Sequence, residues 1–237
     1  TMLEKIDLSK RVAKDTYKKG MEEAGEKLGL LQRELKAAGI PVIVVFEGMG
    51  AAGKGVQINR LIQALDPRGF DVVPIAAPTP EELSRPYLWR FWRQLPKDGH
   101  VVLFDRTWYG RVMVERVEGL TPEARWSMAY DEINEFEREL SRWGAVVLKF
   151  WLQIDQDTQL RRFEDRQSTP EKQYKITEED WRNRKKWPQY ELAVDEMLQK
   201  TSTEYAPWIL VEGNDKKYAR LKVLRTVRKA LERRLDG

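Results

Sequence analysis

The sequence of 237 residues predicts a three-layer α/β fold, in which helices cover both faces of a mainly parallel, five-stranded sheet. Short runs of β-branched and aromatic residues alternate along the chain with longer segments of helical periodicity. A glycine-rich segment follows the first of these runs directly and leads into a helical segment. This alternation is typical of βαβ units, so we expect the strands to be joined by helical crossovers.

The predicted elements follow one another in a regular order. A charged N-terminal arm and helix cover residues 1–39 and end at Gly39, a residue type that stops helices. We expect strands at residues 41–46, 70–75, 100–105, 145–154 and 208–211. We expect helices at residues 53–65, 81–95, 122–143, 155–165, 188–201 and 216–235. No linker-like change in composition and no repeat divides the chain, so one domain over residues 1–237 is expected.

Composition excludes several kinds of site. The chain has no cysteine and one histidine, His100, which rules out disulfides and thiolate metal sites and nearly excludes Ser-His-Asp catalysis. The net charge of +4 and the pI near 9.1 favour a polyanionic partner, and nucleic acid, a phosphate polymer and nucleotides all qualify. The charged N-terminus and the lack of a long apolar run predict a cytoplasmic protein with no membrane segment.

The glycine-rich segment Gly48–Gly55 fits the pattern G-x-x-x-x-G-K. Small residues allow consecutive backbone N–H groups to face an anion, and the helix that follows directs its positive end at the same phosphate. The residues expected to bind phosphate are Gly48, Gly50, Ala51, Ala52, Gly53, Lys54 and Gly55. Lys54 adds a full charge and is a candidate catalytic residue, whereas Gly55 replaces the usual Ser or Thr. The alternative is a plain glycine-rich turn between a strand and a helix.

A second group of polar residues follows the third predicted strand. Ligands of parallel α/β sheets gather at the carboxyl ends of strands, so Asp105 is placed to hold Mg²⁺ directly or through water. Arg106 and Arg111 could neutralise phosphate oxygens, because guanidinium groups bind phosphate in bidentate fashion. The alternative is that Asp105 caps a turn and both arginines are solvated.

The region between the fourth and fifth strands is highly charged. Residues 161–187 contain many Lys and Arg side chains and lie where phosphoryl-transfer enzymes commonly carry a closing lid. Arg166 is the candidate from this region for stabilising charge on the transferred group. Charge runs more often mark a solvated face, and the interspersed acids support that alternative for some of these residues.

Taken together, the motifs resemble the polyphosphate kinase 2 family, and within it the polyphosphate:AMP phosphotransferase branch. The resemblance covers about residues 20–235 and rests on several strings that occur together. Among them are FEGMGAAGKG, YLWRFWRQLP, FDRTWYGRVMVERVEG, LRRFEDR and YKITEEDWRNR. The combination is far more specific than any one of these motifs alone.

The resemblance implies a P-loop kinase fold with a helical lid, Mg²⁺ dependence and assembly into a homo-oligomer, either a dimer or a tetramer. It implies transfer of the terminal phosphate of inorganic polyphosphate to a nucleotide, converting AMP to ADP or ADP to ATP. By position, Lys54 matches the family's Walker A segment, and Asp105 with Arg106 matches its Walker B segment. Arg111 matches the arginine after Trp-Tyr, and Arg166 matches a lid arginine.

One position departs from the family's loop, which often reads G-x-D-x-x-G-K, because Gly50 stands in place of the Asp. Either Asp105 and other acids suffice, or activity is reduced or its substrate preference altered. We expect activity to survive, because Lys54, Asp105 and the arginines remain, and an inactive paralogue is the alternative. An ATP-dependent nucleoside-monophosphate kinase is the first alternative function. A basic module that binds nucleic acid is the second, and it would leave the glycine-rich loop without a use.

Overall fold

The computed structural model describes all residues, 1–237. The strands are β1 Val42–Gly48, β2 Phe70–Pro74, β3 Val101–Asp105, β4 Val146–Gln153 and β5 Trp208–Glu212. The helices are α1 Lys14–Ala38, α2 Lys54–Gln63, α3 Pro80–Leu83, α4 Trp89–Trp92, α5 Val114–Val117, α6 Glu123–Trp143, α7 Gln156–Ser168, α8 Glu178–Lys185, α9 Trp187–Thr201 and α10 Lys216–Asp236. None of these helices combines the length and the apolar character that crossing a bilayer would need.

The five strands form one parallel sheet in the order β2-β3-β1-β4-β5, which confirms the predicted fold class. The central strand β1 is apolar and buried because it has a neighbouring strand on each side and helices on both faces. Phe46 of β1 is in register with Asp105 of β3, and Gly48 is in register with Leu152 of β4. The carboxyl ends of β1, β3 and β4 therefore meet at one edge of the sheet.

The helices pack as two groups around the sheet. Helix α10 packs along α1 and also contacts β4 and β5, whereas α6 packs against β4 and α9. Gly39 and Gly144 end α1 and α6 in the left-handed region, with φ of 69° and 108°, as the sequence predicts for C-terminal glycines. Each glycine thereby stops its helix immediately before a strand.

The predicted helix over residues 81–95 is wrong. Only two short helices, α3 and α4, form there, and Pro86 lies between them. Proline disfavours the helical conformation of the residue before it and cannot donate the backbone hydrogen bond that a continuous helix needs. Thr79 caps α3, and its side chain accepts a hydrogen bond from the Glu82 N–H at 3.2 Å. The sequence also missed the short 3-10 turn Trp108–Val112 that follows β3.

A fully buried polar network anchors that turn. Lys149 of β4 donates hydrogen bonds through Nζ to Glu137 Oε1 at 2.9 Å, to the Tyr109 hydroxyl at 2.8 Å and to the Thr201 carbonyl at 2.7 Å. Glu137 in turn accepts from Trp108 Nε1 at 3.0 Å and from the Tyr109 hydroxyl at 2.6 Å. Because every partner is satisfied, the network fixes Trp108 and Tyr109 in the interior without an unpaired charge.

We predict that breaking this network on one side destabilises the protein strongly. Lys149→Met leaves the Glu137 carboxylate buried without its cation, so we expect the free energy of unfolding to fall by roughly 3–5 kcal/mol. Lys149→Met combined with Glu137→Gln removes both charges and keeps an acceptor for Trp108 and Tyr109, so the loss should be smaller. Urea unfolding of the wild type, Lys149→Met, Glu137→Gln and the double variant measures these losses. A loss in the double variant equal to the sum of the single losses would contradict the prediction.

Candidate active site

The loop between β1 and α2 presents free backbone donors. The amide N–H groups of Gly50, Ala51 and Gly53 donate no hydrogen bond within the protein, whereas the Ala52 N–H donates to the Met49 carbonyl at 2.9 Å. Ala51 and Gly53 have positive φ values of 66° and 106°, which turn neighbouring N–H groups toward a common concavity. Helix α2 begins directly after the loop, so its free first-turn donors add to an anion site.

Lys54 folds back over this loop. Its Nζ donates a hydrogen bond to the Gly48 carbonyl at 3.2 Å. Burial lowers the pKa of Lys54, and the charge of Arg106 lowers it further, while Glu47, Asp105 and Asp180 oppose the shift. The charges that act on Lys54 thus come from the end of β1, from the end of β3 and from α8.

The end of β3 is held beside this loop. Asp105 is half-buried at the last position of the strand, and the Arg106 N–H donates to the Phe46 carbonyl of β1 at 3.2 Å. Arg106 adopts a left-handed conformation with φ of 64°, which is uncommon for a residue with a side chain. Thr107 then caps the following turn, because its Oγ1 accepts from the Tyr109 N–H at 3.1 Å. The buried network below Tyr109 thus supports the turn that presents Asp105 and Arg106.

A cavity of about 760 Å³, partly open to solvent, lies on one side of the loop, and we call it the front cavity. Gly48, Gly50, Lys54 and Arg106 contribute to its wall from the loop and from the end of β3. The side chains that complete the wall include Glu47, Met113, Trp151, Asp180, Asn183, Trp187 and Tyr190. The front cavity therefore combines cations and free amides at one end with three aromatic rings and short polar side chains elsewhere.

Two acids that line the front cavity, Glu47 and Asp180, were not predicted from the sequence. Glu47 is the penultimate residue of β1 and only 5% exposed, and burial raises its pKa to about 7. Asp180 lies in the first turn of α8 and accepts a hydrogen bond from the Thr177 N–H at 2.9 Å. An acid inside the apolar run before the glycines was a visible signal for Glu47. Nothing in the sequence pattern distinguished Asp180 from the neighbouring acids.

A second concavity of about 660 Å³ lies on the other side of the loop, and we call it the basic groove. Ala51, Ala52 and Gly53 form part of its wall. Six cations complete most of the rest, namely Arg162, Arg166, Lys172, Lys175, Lys216 and Arg220. The one acid of the groove, Asp165, accepts a hydrogen bond from Lys172 Nζ at 2.8 Å. The groove therefore carries a concentrated positive charge next to the phosphate loop.

Arg162 ties the basic groove to the loop. Its guanidinium donates to the Ala51 carbonyl at 2.9 Å and to the Gly213 carbonyl at 2.8 Å. Burial lowers the pKa of Arg162 to about 10, and the charges of Arg166 and other nearby arginines add to the shift. Burial and the same cations also lower the pKa of Lys216. This mutual repulsion would be relieved by a bound polyanion.

The structure brings most of the predicted site residues together. Gly48, Gly50, Lys54 and Arg106 line the front cavity, whereas Ala51, Ala52, Gly53 and Arg166 line the basic groove. Asp105 lines neither concavity but is coupled electrostatically to Lys54 and Glu47. The predicted residues thus surround the loop on two sides rather than forming a single pocket.

Arg111 lies apart from the other predicted residues. Its guanidinium stacks 4.1 Å from the centre of the Tyr87 ring, and its Nε lies 3.5 Å from Glu115 Oε1. It lines a separate cavity beside Arg85 and other arginines. Gly55 is exposed on the first turn of α2 and lines neither the front cavity nor the basic groove, so it belongs to the site only through its free backbone N–H.

The chain is similar to known proteins over almost its whole length. The family description Polyphosphate kinase 2 matches residues 11–236 of the chain. A polyphosphate:AMP phosphotransferase of Pseudomonas syringae pv. tomato is 54% identical over 233 residues, which are 98% of this chain and 47% of the relative. The chain spans about half the length of this relative.

Two crystal structures have the same fold. One, from Pseudomonas aeruginosa PA01 and carrying the name polyphosphate kinase 2, has a TM-score of 0.97 and 52% identity, covering 100% of this chain and 51% of that chain. Polyphosphate Kinase 2 from Arthrobacter aurescens TC1 has a TM-score of 0.93 and 33% identity, with 97% and 84% coverage. The match over nearly the whole chain confirms the resemblance seen in the motifs, and the chain belongs to the polyphosphate kinase 2 family.

Proposed function

We propose that this chain transfers the terminal phosphoryl group of inorganic polyphosphate to an adenine nucleotide. The main reaction is AMP to ADP, and ADP to ATP is the second. The proposal rests on the difference between the two concavities that share the phosphate loop. The front cavity has aromatic and polar side chains suited to a nucleoside, whereas the basic groove has six cations and no aromatic side chain. A donor in the groove therefore needs many phosphates and no base.

The same difference separates this reaction from that of an ATP-dependent kinase. An ATP donor would need a second place for a base and a ribose beside the loop, and the groove wall offers only small, aliphatic and charged side chains together with Gln57. A linear polyphosphate, by contrast, carries negative charge along its whole length and can meet each cation in turn. The name of the Pseudomonas syringae relative, a polyphosphate:AMP phosphotransferase, supports the same donor and acceptor.

The proposed reaction exchanges one phosphoanhydride bond for another. An oxygen of the AMP phosphate forms a bond to the terminal phosphorus, and the bond from that phosphorus to the bridging oxygen breaks, so the polymer is one unit shorter. Lys54 and Arg106 face the acceptor side, Arg166 faces the donor side, and the loop amides lie between them. Catalysis is positioning and charge stabilisation, because the acceptor oxygen is already ionised. Because the bond formed and the bond broken are both phosphoanhydrides, the reaction is nearly isoenergetic and also proceeds in reverse.

The donor atoms beside the loop fit Mg²⁺. Asp105 and Glu47 supply carboxylate oxygens at adjoining strand ends, and the chain has no group of three or more acids and histidines that would form a complete metal cage. Mg²⁺ commonly binds through one or two carboxylates, with phosphates and water as the other ligands. When bound, the ion would neutralise charge on the donor and acceptor phosphates, with Asp105 as the principal protein ligand.

We propose that residues 161–187 act as the lid of a single kinase domain covering residues 1–237. This region already contacts the loop, because Arg162 donates to the Ala51 carbonyl at 2.9 Å. Arg184 also reaches the loop through Gln159: it donates to Gln159 Oε1 at 3.2 Å, and Gln159 Nε2 donates to the Gly50 carbonyl at 2.9 Å. Movement of this region would open both concavities to their substrates. Homo-oligomerisation stays a prediction from the resemblance, and a cytoplasmic location stays a prediction from the composition and the charged N-terminus.

An assay without ATP tests the donor. With AMP, polyphosphate and Mg²⁺, we expect ADP to form, and Lys54→Ala should lower kcat roughly 100- to 1,000-fold because a charge next to the transferred group is lost. Lys229→Ala, which removes an exposed cation of α10 far along the helix, serves as the control and should keep full turnover. ADP formation only on addition of ATP would assign the chain to the ATP-dependent kinases and overturn the proposal.

Substitutions in the basic groove test where the donor binds. For Arg166→Ala and Lys216→Ala, we expect the KM for polyphosphate to rise about tenfold each, because a charge-assisted contact contributes roughly 1.5–3 kcal/mol. The KM for AMP should change by less than about twofold, and Lys229→Ala should change neither value. Initial rates measured over both substrate concentrations give these constants. A rise confined to the KM for AMP would place the donor elsewhere.

Removal of the metal tests the proposed Mg²⁺ requirement and the role of Asp105. Excess EDTA should abolish transfer, and Mg²⁺ should restore it, because the phosphates of both substrates otherwise repel one another. Asp105→Asn should raise the Mg²⁺ concentration needed for half-maximal rate about tenfold or more. Full turnover of the wild-type protein in EDTA, or an unchanged Mg²⁺ requirement in Asp105→Asn, would contradict this assignment.

A further inference from the structure

Glu47 is a buried carboxylate that faces the front cavity without a cation partner. Glu47 forms no ion pair with a Lys or Arg side chain, and the side-chain hydrogen bond that it accepts, from Thr107 Oγ1, is long at 3.4 Å. The residue is 5% exposed and lines the cavity wall. Burying a carboxylate costs free energy unless a cation or several donors compensate, so a partner supplied from the cavity would remove that cost.

The position of Glu47 identifies the kind of partner. The side chain lies at the end of β1, where its electrostatic environment includes Lys54, Arg106 and Asp105. Lys54 Nζ donates to the Gly48 carbonyl at 3.2 Å, and its charge acts on Glu47 without forming an ion pair with it. A small divalent cation bound among the phosphates would supply the missing positive charge, and carboxylates are hard oxygen ligands of the kind that Mg²⁺ selects.

The loop itself offers no competing ligand. Residues 48–55 contain no acid, because Gly50 stands at the third position. The only other acid of the front cavity, Asp180, already accepts hydrogen bonds at the start of α8. A Cβ atom added at Gly50 would lie 3.4 Å from Gln159 Nε2 and 3.4 Å from the Phe163 ring, so a side chain could be accommodated there with little adjustment. Glu47 is thus the free carboxylate of this cavity.

We propose that Glu47 is the second protein carboxylate of the metal site, acting with Asp105 in a loop that has no acid of its own. This inference rests on the metal dependence in the proposed function and adds a specific residue to it. The contrasting role is a fixed counter-charge, in which Glu47 offsets Lys54 and Arg106 and has no contact with metal.

Metal binding measured without turnover separates the two roles. Free Mn²⁺ is followed by electron paramagnetic resonance during titration of the protein with ADP present and polyphosphate absent. Glu47→Gln preserves the shape of the side chain and removes its charge, so we expect Mn²⁺ affinity to fall about tenfold or more. Glu123→Gln, an exposed acid at the start of α6, is the matched control and should bind Mn²⁺ like the wild type.

A second variant tests whether a carboxylate placed elsewhere in the front cavity can replace that of Glu47 in metal binding. In the double variant Glu47→Gln with Gly50→Asp, a new acid enters the same cavity, and we expect most of the Mn²⁺ affinity to return. ADP affinity measured in EDTA should be the same in all these proteins. Unchanged Mn²⁺ affinity in Glu47→Gln overturns the inference, as does a loss of ADP affinity in EDTA, which would make Glu47 a residue that shapes the cavity. Either result leaves the ATP-free transfer assay as an independent test of the proposed function.

Discussion

The site depends on backbone amides that the protein leaves without partners. Gly50, Ala51 and Gly53 each carry an N–H group with no acceptor in the chain, although buried backbone donors are nearly always paired. These N–H groups are stabilised when an anion or a water molecule accepts the hydrogen bond that no carbonyl of the protein accepts. The parallel sheet makes this arrangement possible, because β1 ends where α2 begins and the register with β3 brings Asp105 alongside.

The front cavity and the basic groove differ in chemistry because different secondary-structure elements line them. Residues that enter the front cavity come from the ends of β1 and β3 and from α8 and α9, which supply aromatic rings and short polar groups. Cations of the basic groove come from α7, from the turn after it and from the start of α10. In the reaction that we propose, the donor and the acceptor would therefore reach the same loop from its two sides.

Local patterns predicted the elements well, and tertiary placement was harder to predict. Glycine-rich spacing identified Lys54 because the loop is contiguous in sequence, and strand ends identified Asp105 because parallel strands share an edge. The helix predicted over residues 81–95 failed at Pro86, whose effect on the preceding residue outweighed the surrounding helical periodicity. Arg111 follows Tyr109 by only two residues, but the 3-10 turn directs it to a separate cavity. Lys216 and Arg220 line the basic groove because of how α10 packs in the tertiary structure, and no local sequence pattern predicts that packing.

The buried acids Glu137 of α6 and Glu47 of β1 differ in how fully the protein supplies their hydrogen-bond partners. Glu137 accepts hydrogen bonds from Lys149, Tyr109 and Trp108, so every strong partner that it needs is supplied by the protein, and its role is to hold the turn after β3. Glu47 is almost equally buried but has one long hydrogen bond and no ion pair. A protein that satisfies one buried carboxylate fully has no general difficulty in pairing such groups. In our proposal a cation bound from the cavity is the missing partner of Glu47, because its carboxyl group lies beside the loop and lines the front cavity.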